Sequence, residues 1–268
     1  MRPWYYILSA FLVVTLTVPA MAANSVTVKG STTVLPIMQR AVEAFIAETG
    51  TPVAVSGGGS SNGIKALLDG STDIAMASRT MKGKEIKLAE SKNIKPVEHV
   101  IALDAVIPIV HPSNTVDNLT SDQLKAIYEG KITNWKEVGG TDGKIIVISR
   151  DTSSGTYETW HKIIMKKARV FPGALLQASS GAVLQAVAKN KNAIAYDGIG
   201  YINDTVKSLS VDSVMGSAKT AKDKTYPVAR TLQIYTTSKP SPDATNLVEF
   251  ILSPKGQDIV EQAGFIRR

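Results

Sequence analysis

Residues 26–46, VTVKGSTTVLPIMQRAVEAFI, hold three consecutive patterns that decide the fold. Val26 to Val28 form a short apolar segment that is typical of a strand. The small residues Gly30 to Thr33 follow, and apolar residues then recur at helical spacing from Val34 to Ile46. Pro36 falls in the first turn of this helix, where a missing N–H group is tolerated. The stretch therefore predicts a strand, a tight turn and an amphipathic helix.

The same order of strand and helix recurs along the chain. The pattern predicts further strands at 52–56, 73–77, 100–110, 144–149, 193–196 and 228–236. Helical patterns separate most of them, and glycine or proline marks many of the ends. Strands that alternate with helices indicate an α/β protein with largely parallel sheets.

The predicted elements divide into two series, which favours a bilobal molecule. One series covers 24 to about 103 and the other covers about 105 to 225. The final strand and helix are too small to fold alone, so they must return to one of the lobes. We predict a first lobe of residues 24–103 plus 232–268 and a second lobe of residues 104–231.

Residues 1–23 have the pattern of a secretory signal peptide. Arg2 precedes an apolar run from Ile7 to Val18, and Ala20-Met21-Ala22 fits a cleavage site. The run is shorter than the roughly 20 residues of a spanning helix. We therefore predict an exported, periplasmic protein. The chain has no cysteine, which excludes disulfides and thiolate metal sites.

The excess of positive charge would suit nucleic acid, an acidic surface or a small anion, although a generally basic solvated surface explains most of it. The chain has 30 basic and 23 acidic residues, for a net charge of +7. No run of basic residues is longer than pairs such as Lys166-Lys167, and aromatic residues do not alternate with them. A nucleic-acid partner is therefore disfavoured.

Three turns that each follow a predicted strand and precede a predicted helix form the candidate site. They are Gly30 to Thr33, Gly57 to Gly63, and Ser153 to Thr156. Helix N-termini expose unpaired N–H groups and bind anions, and small residues allow close approach. Each turn alone is more simply explained as a helix cap. Three such turns in one chain favour an anion site, and the absence of a P-loop disfavours nucleotide hydrolysis.

Two arginines lie where predicted strands end. Arg150 precedes the third turn, and its guanidinium could hold two oxygens of an oxyanion. A surface pair with Asp151 is an equal alternative. Arg79 follows the strand at 73–77, and a surface charge explains it somewhat better than a direct contact.

These residues resemble those of the phosphate-binding proteins of bacterial phosphate ABC transporters, along nearly the whole chain after the signal. The matching stretches are GSTTVLP at 30–36, GGGSSNG at 57–63, DIAMASR at 73–79, GKITNW at 130–135, Arg150 with Ser154-Gly155-Thr156, YPVAR at 226–230 and SPKGQ at 253–257. Their order and spacing are specific to this family.

The resemblance implies a two-lobed periplasmic-binding-protein-like fold, in which each lobe is a mixed, mostly parallel sheet flanked by helices. A hinge of two segments, near 103–107 and 226–232, would join the lobes. It also implies a binding protein rather than an enzyme, which acts as a monomer, needs no cofactor or metal, and delivers phosphate to a membrane permease. The implied phosphate site consists of Ser31, Thr32, Thr33 with its backbone N–H, Ser60, Ser61, Arg79, Arg150, Ser154, Gly155 and Thr156.

The chain departs from the family at two positions. Many members have an aspartate, which accepts the proton of hydrogen phosphate, at the position of Arg79. Members also often have an aspartate at the position of Thr152. Asp151 or Asp197 could take over the role of proton acceptor. Without one, discrimination against fully ionised sulfate would be weak.

Three other functions stay open from the sequence. The ligand could be another tetrahedral oxyanion such as sulfate, or the protein could be a secreted phosphate sensor. A serine hydrolase using Ser153 or Ser154 with His161, His99 or His111 is less consistent, since no Gly-x-Ser-x-Gly motif is present. A metal site is also disfavoured, because no histidine pair or carboxylate cluster has ligand spacing.

Overall fold

A computed structural model describes residues 25–268. The predicted signal peptide at 1–23 lies outside the described residues. Within the part that is described, no helix combines the length and the apolar character needed to span a bilayer.

The described chain alternates strands and helices. The strands are β1 (Val26–Gly30), β2 (Val53–Gly57), β3 (Ile74–Ala77), β4 (Pro96–Val110), β5 (Asn118–Leu119), β6 (Ile146–Arg150), β7 (Leu175–Gln177), β8 (Ala193–Gly198), β9 (Lys207–Ser208), β10 (Ser210–Val211) and β11 (Ala229–Thr237). The helices are α1 (Leu35–Thr49), α2 (Ser60–Leu68), α3 (Gly83–Ser91), α4 (Ser121–Tyr128), α5 (Gly155–Ile163), α6 (Ser180–Ala188), α7 (Ala218–Lys222), α8 (Pro242–Leu252) and α9 (Pro254–Gln262), with short 3₁₀ turns at 135–138 and 199–201. This arrangement confirms the predicted α/β class.

A nine-stranded mixed sheet has the order β2-β1-β3-β11-β4-β8-β6-β7, with β9 paired to β4 at one side, and β5 and β10 form a separate two-stranded sheet. The strands β1, β2 and β3 are parallel to one another, as are β6, β7 and β8. The long strands β4 and β11 run antiparallel between these two groups. Each group of parallel strands therefore belongs to its own half of a two-lobed fold, with its own helices.

The first lobe contains β1–β3, and the second contains β6–β8. Helices α1, α8 and α9 bury their apolar faces in one cluster with Val28, Ile74 and Leu232. A separate cluster is built around Tyr128, Trp160 and Tyr196, whose aromatic rings pack together. The exact lobe boundaries at 103/104 and 231/232 stay a prediction.

The structure corrects the predicted start of β4. Its strand begins at Pro96, four residues before the predicted Val100, because β11 continues to pair with it as far as Pro96. Prediction from the sequence alone missed this part, since Glu98 and His99 interrupt the apolar pattern. The same long pairing joins the two halves of the sheet.

The turns that were predicted to bind an anion form as expected. Gly30 ends β1, Gly57 ends β2 and Arg150 ends β6, and each is followed by a helix. Pro36 occupies the first turn of α1, and Gly50 ends that helix in the left-handed conformation, with a φ of 70°. The carboxyl ends of β1 and β6 thus place their turns at the junction of the lobes.

Candidate functional site

Arg150 is the central side chain of the candidate site. It lies at the end of β6 and is 1% exposed. Its Nη2 donates to Thr32 Oγ1 at 3.0 Å and to the carbonyl of Ala178 at 3.1 Å. Its Nη1 donates to Ser180 Oγ and its Nε to the carbonyl of Gln177, each at 3.1 Å. All four acceptors are neutral.

The charge of Arg150 therefore lacks a direct counterion. Among residues 25–268, no carboxylate forms an ion pair with its guanidinium. An uncompensated charge in the interior is costly unless an opposite charge joins it. The predicted alternative of a surface pair with Asp151 is wrong, because the guanidinium is buried and Asp151 instead bonds Ser153. Arg150 is thus poised to hold an anion.

Two threonines meet across the lobes next to Arg150. Thr33 Oγ1 lies 2.8 Å from Thr156 Oγ1, and both side chains are buried. Thr156 Oγ1 also accepts a hydrogen bond from Nη2 of Arg230 at 3.0 Å. Arg230 is held in turn by Asp104 at 2.8 Å, within the paired strands β4 and β11. Burial raises the pKa of Asp104, and the positive charge of Arg230 opposes that rise.

Ser60 and Ser78 add two further buried hydroxyls from the first lobe. Ser60 Oγ accepts from the backbone N–H of Ser78 at 3.0 Å and lies 3.3 Å from Ser78 Oγ. A Cβ placed on Gly155 would lie 2.4 Å from Ser60 Oγ and 2.5 Å from Ser78 Oγ. The start of α5 therefore approaches these hydroxyls so closely that position 155 requires glycine.

The hydroxyls around Arg150 form a cluster that consists of Thr32, Thr33, Ser60, Ser78, Thr156 and Ser180. Three helices begin at this cluster, namely α2 at Ser60, α5 at Gly155 and α6 at Ser180. Ser154 caps α5, because its hydroxyl accepts from the N–H of Tyr157 at 3.2 Å. Ser179 caps α6 in the same way through Ala182. Each helix directs the positive end of its dipole towards the cluster, which favours a bound anion.

Three of the predicted ligand residues, Ser31, Ser61 and Arg79, form hydrogen bonds that stabilise the turns around the cluster. Ser31 Oγ accepts from the backbone N–H of Thr33 at 3.2 Å, so the predicted donor that is used inside the turn is this N–H. Ser61 Oγ accepts from Arg79 at 2.9 Å. Both Nη atoms of Arg79 bind the carboxylate of Glu85 at 2.8 Å. Glu85 thus neutralises Arg79, which links Ser61 to α3 rather than to the hydroxyls around Arg150.

Two hydroxyls of the site, Ser78 and Ser180, are not among the residues predicted from the sequence. Ser180 Oγ contacts Arg150 and lies 3.5 Å from Thr33 Oγ1. The signal was present, because Ser179-Ser180-Gly181 repeats the pattern of Ser153-Ser154-Gly155. The preceding strand β7 is only three residues long and has two exposed leucines, so it did not stand out.

A larger cavity lies beside this closed cluster. It has a volume of about 570 Å³ and reaches the cluster at Thr159 and Arg230. Both lobes line it, with charged residues Arg79, Lys82, Glu158, Lys162, Lys167 and Arg230. Glu85, Glu158 and Asp104 pair with Arg79, Lys82 and Arg230, respectively. The cavity is therefore less suited to a small buried anion than the cluster around Arg150.

The geometry gives no support to hydrolytic or metal chemistry in the described part of the chain. Within residues 25–268, no histidine side chain forms a hydrogen bond with Ser153 or Ser154. His161 stacks on Tyr157 at 5.4 Å between ring centroids. The same residues contain no group of three or more side chains suited to hold a metal ion.

A model of the PBP superfamily domain matches residues 17–255. The curated relatives include the phosphate-binding protein PstS of Borreliella burgdorferi, which is 33% identical and aligns over 90% of this chain and 89% of its own length. The PstS of Staphylococcus saprophyticus is 36% identical over 88% of this chain and 78% of its own. The chain therefore belongs to the PBP superfamily and, within it, to the PstS family.

Solved structures of similar proteins agree in fold. A candidate phosphate ABC transporter substrate-binding protein from Clostridium perfringens, solved with bound phosphate, is 36% identical with a TM-score of 0.86. The match covers 91% of this chain and 100% of that one. An ABC-type phosphate transport receptor from Vibrio cholerae has 32% identity, a TM-score of 0.75 and the same coverage. These likenesses confirm the two-lobed fold.

Proposed function

We propose that this chain captures inorganic phosphate between its lobes and delivers it to an ABC permease. The observation that carries the proposal is the buried guanidinium of Arg150, which has neutral acceptors but no counterion among the described residues. The relatives named as phosphate-binding and phosphate transport proteins support the same ligand.

The ligand site draws on both lobes. Thr32, Thr33 and Ser60 come from the first lobe, whereas Arg150 and Thr156 come from the second. Either lobe alone has only part of the donor set. The anion therefore binds best when the lobes are together, and it shifts the population towards that state. Ser154 and Gly155 contribute the first turn of α5, while Ser31, Ser61 and Arg79 support the surrounding turns.

The proposed role is that of an extracytoplasmic binding protein and not of an enzyme. Export rests on the signal pattern at residues 1–23. Binding and release require no covalent step, and within residues 25–268 no histidine is hydrogen-bonded to Ser153 or Ser154. The protein acts as a monomer that presents its closed form to the permease.

Isothermal titration with phosphate tests the proposal on mature protein that has been unfolded, freed of ligand and refolded. We expect one phosphate per chain. Arg150→Ala should weaken binding by about 2–5 kcal/mol, because a buried charged partner of the anion is removed. Arg40→Ala is the matched control, since Arg40 is exposed on α1. Unchanged affinity in a folded Arg150→Ala variant would overturn the site, and no phosphate binding by the wild type would overturn the function.

A further inference from the structure

Asp197 has a carboxylate oxygen to which no other residue of the described range 25–268 forms a hydrogen bond. The residue lies in β8, directly before Gly198, and is fully buried. Its Oδ1 accepts from Ser180 Oγ and from the N–H of Gly198, both at 2.8 Å. Its Oδ2 is buried and has no hydrogen-bond partner among residues 25–268. A buried acceptor of this kind is costly unless a donor reaches it.

Ser180 places this carboxylate next to the guanidinium of Arg150. Nη1 of Arg150 donates to Ser180 Oγ at 3.1 Å, and the Ser180 hydroxyl donates its single proton onward to Asp197 Oδ1. The direction of both hydrogen bonds is thereby fixed. One hydroxyl separates the negative charge from the positive one. Asp197 consequently belongs to the same polar group as the proposed anion-binding residues.

The electrostatic surroundings hold Asp197 close to its titration range. Burial raises the pKa of its carboxyl group to about 6, and Arg150 opposes the rise. Asp104 in β4 also raises this pKa, although Arg230 neutralises Asp104. Tyr201 donates to the carbonyl of Thr32, and burial together with Asp197 raises the pKa of its phenol. Around neutral pH the carboxylate is therefore ionised and able to accept a hydrogen bond from a protonated anion.

Asp151, the other acidic residue near the third turn, lacks these properties. Its Oδ1 accepts from both the N–H and the hydroxyl of Ser153, and its side chain is half-buried. Water can solvate the carboxylate of Asp151, so this carboxylate does not discriminate against an anion that carries no proton, such as sulfate. Asp151 thus serves as a matched comparison for Asp197.

We propose that Asp197 determines the specificity of the site by accepting, through Oδ2, the proton of a protonated tetrahedral oxyanion such as hydrogen phosphate or hydrogen arsenate. This inference rests on the proposed function. Fully ionised sulfate brings no proton, so its oxygen would oppose the carboxylate oxygen with acceptors on both sides. The selective carboxylate therefore comes from the second lobe. In the first lobe, Arg79 stands where many family members have an aspartate, and it is bound to Glu85.

Asp197→Asn tests this role because the amide nitrogen replaces an acceptor by a donor of the same size. Calorimetric titrations with phosphate and with sulfate at pH 8 give the ratio of the two affinities. We expect this ratio to fall roughly 10- to 100-fold in Asp197→Asn, the cost range of an unmatched buried polar group. Phosphate should bind more weakly and sulfate more tightly. Asp151→Asn should leave the ratio unchanged.

A second measurement applies to the wild type and does not depend on the variant folding. Below the pKa of Asp197 its protonated carboxyl group can donate a hydrogen bond to sulfate, so sulfate should bind more tightly at pH 5 than at pH 8. In Asp197→Asn this difference should disappear. The inference alone would be overturned if Asp197→Asn binds phosphate and its ratio of phosphate to sulfate affinity is unchanged. It would also be overturned if the wild type binds sulfate equally well at both pH values. Loss of phosphate binding by the wild type would instead overturn the proposed function.

Discussion

The hydroxyl of Thr33 lies 2.8 Å from the hydroxyl of Thr156, although 123 residues separate them and they belong to opposite lobes. Both side chains are buried, and Arg150 donates to Thr32 directly beside them. A hydrogen bond between two side chains at this position exists only while the lobes are in contact. The structure therefore represents an arrangement in which the two halves of the candidate site are joined.

Substituting Gly155 should separate the lobes. In Gly155→Ala the new Cβ would overlap Ser60 Oγ and Ser78 Oγ, which belong to the first lobe. We expect phosphate affinity to fall roughly 5- to 150-fold, since the overlap opposes closure and costs about 1–3 kcal/mol. Titration calorimetry measures the change. Gly83→Ala is the matched control, because Gly83 is also the first residue of a helix and a Cβ there meets nothing within 4 Å. Equal affinities of the two variants would contradict the close approach.

The ion pair between Lys82 and Glu158 should contribute weakly to closure. Its atoms are 2.5 Å apart and join the lobes, with the side chains 26% and 27% exposed. A double-mutant cycle of Lys82→Gln and Glu158→Gln should give a coupling of up to about 1 kcal/mol in phosphate binding. The coupling should decrease with added salt. The pair of Lys65 and Asp69, which lies within the first lobe, should show none. A salt-independent or absent coupling would show that Lys82 and Glu158 do not act as an interlobe pair.

The ligand-free protein should lose stability as Asp197 ionises. Because its pKa in the folded state is raised from 3.8 to about 6, the carboxyl group favours folding below pH 4 and this contribution is lost as pH rises through 6. Asp197→Asn has no charge to bury. The variant should therefore gain about 3 kcal/mol in unfolding free energy over the wild type between pH 3 and pH 8. Denaturant unfolding at several pH values measures this difference, and a difference that stays constant with pH would contradict it.

Local patterns were sufficient to predict the turns of the site. Gly30 to Thr33 and Ser153 to Thr156 combine small residues with a following helical pattern, and each property is visible within about ten residues. The end position of Arg150 on its strand could be predicted for the same reason. These features depend on backbone conformation, which neighbouring residues largely set.

Contacts between distant residues could not be predicted from such patterns. Arg79 is among the predicted ligands, but its pair with Glu85 depends on the position of α3, a helix whose buried residue is Ala89 alone. Ser180 was missed because its strand β7 is short. The unpartnered oxygen of Asp197 is a property of the packed interior alone. The choice between Asp151 and Asp197 as the acceptor for the anion's proton therefore depends on the folded structure.

A crystal structure grown with arsenate tests the central claim most directly, because the anomalous signal of arsenic locates the anion independently of any assumed site. The account predicts one strong peak within hydrogen-bond distance of Arg150, between Ser60 and Thr156. A peak in the neighbouring cavity lined by Lys82 and Lys162, without one at Arg150, would contradict it.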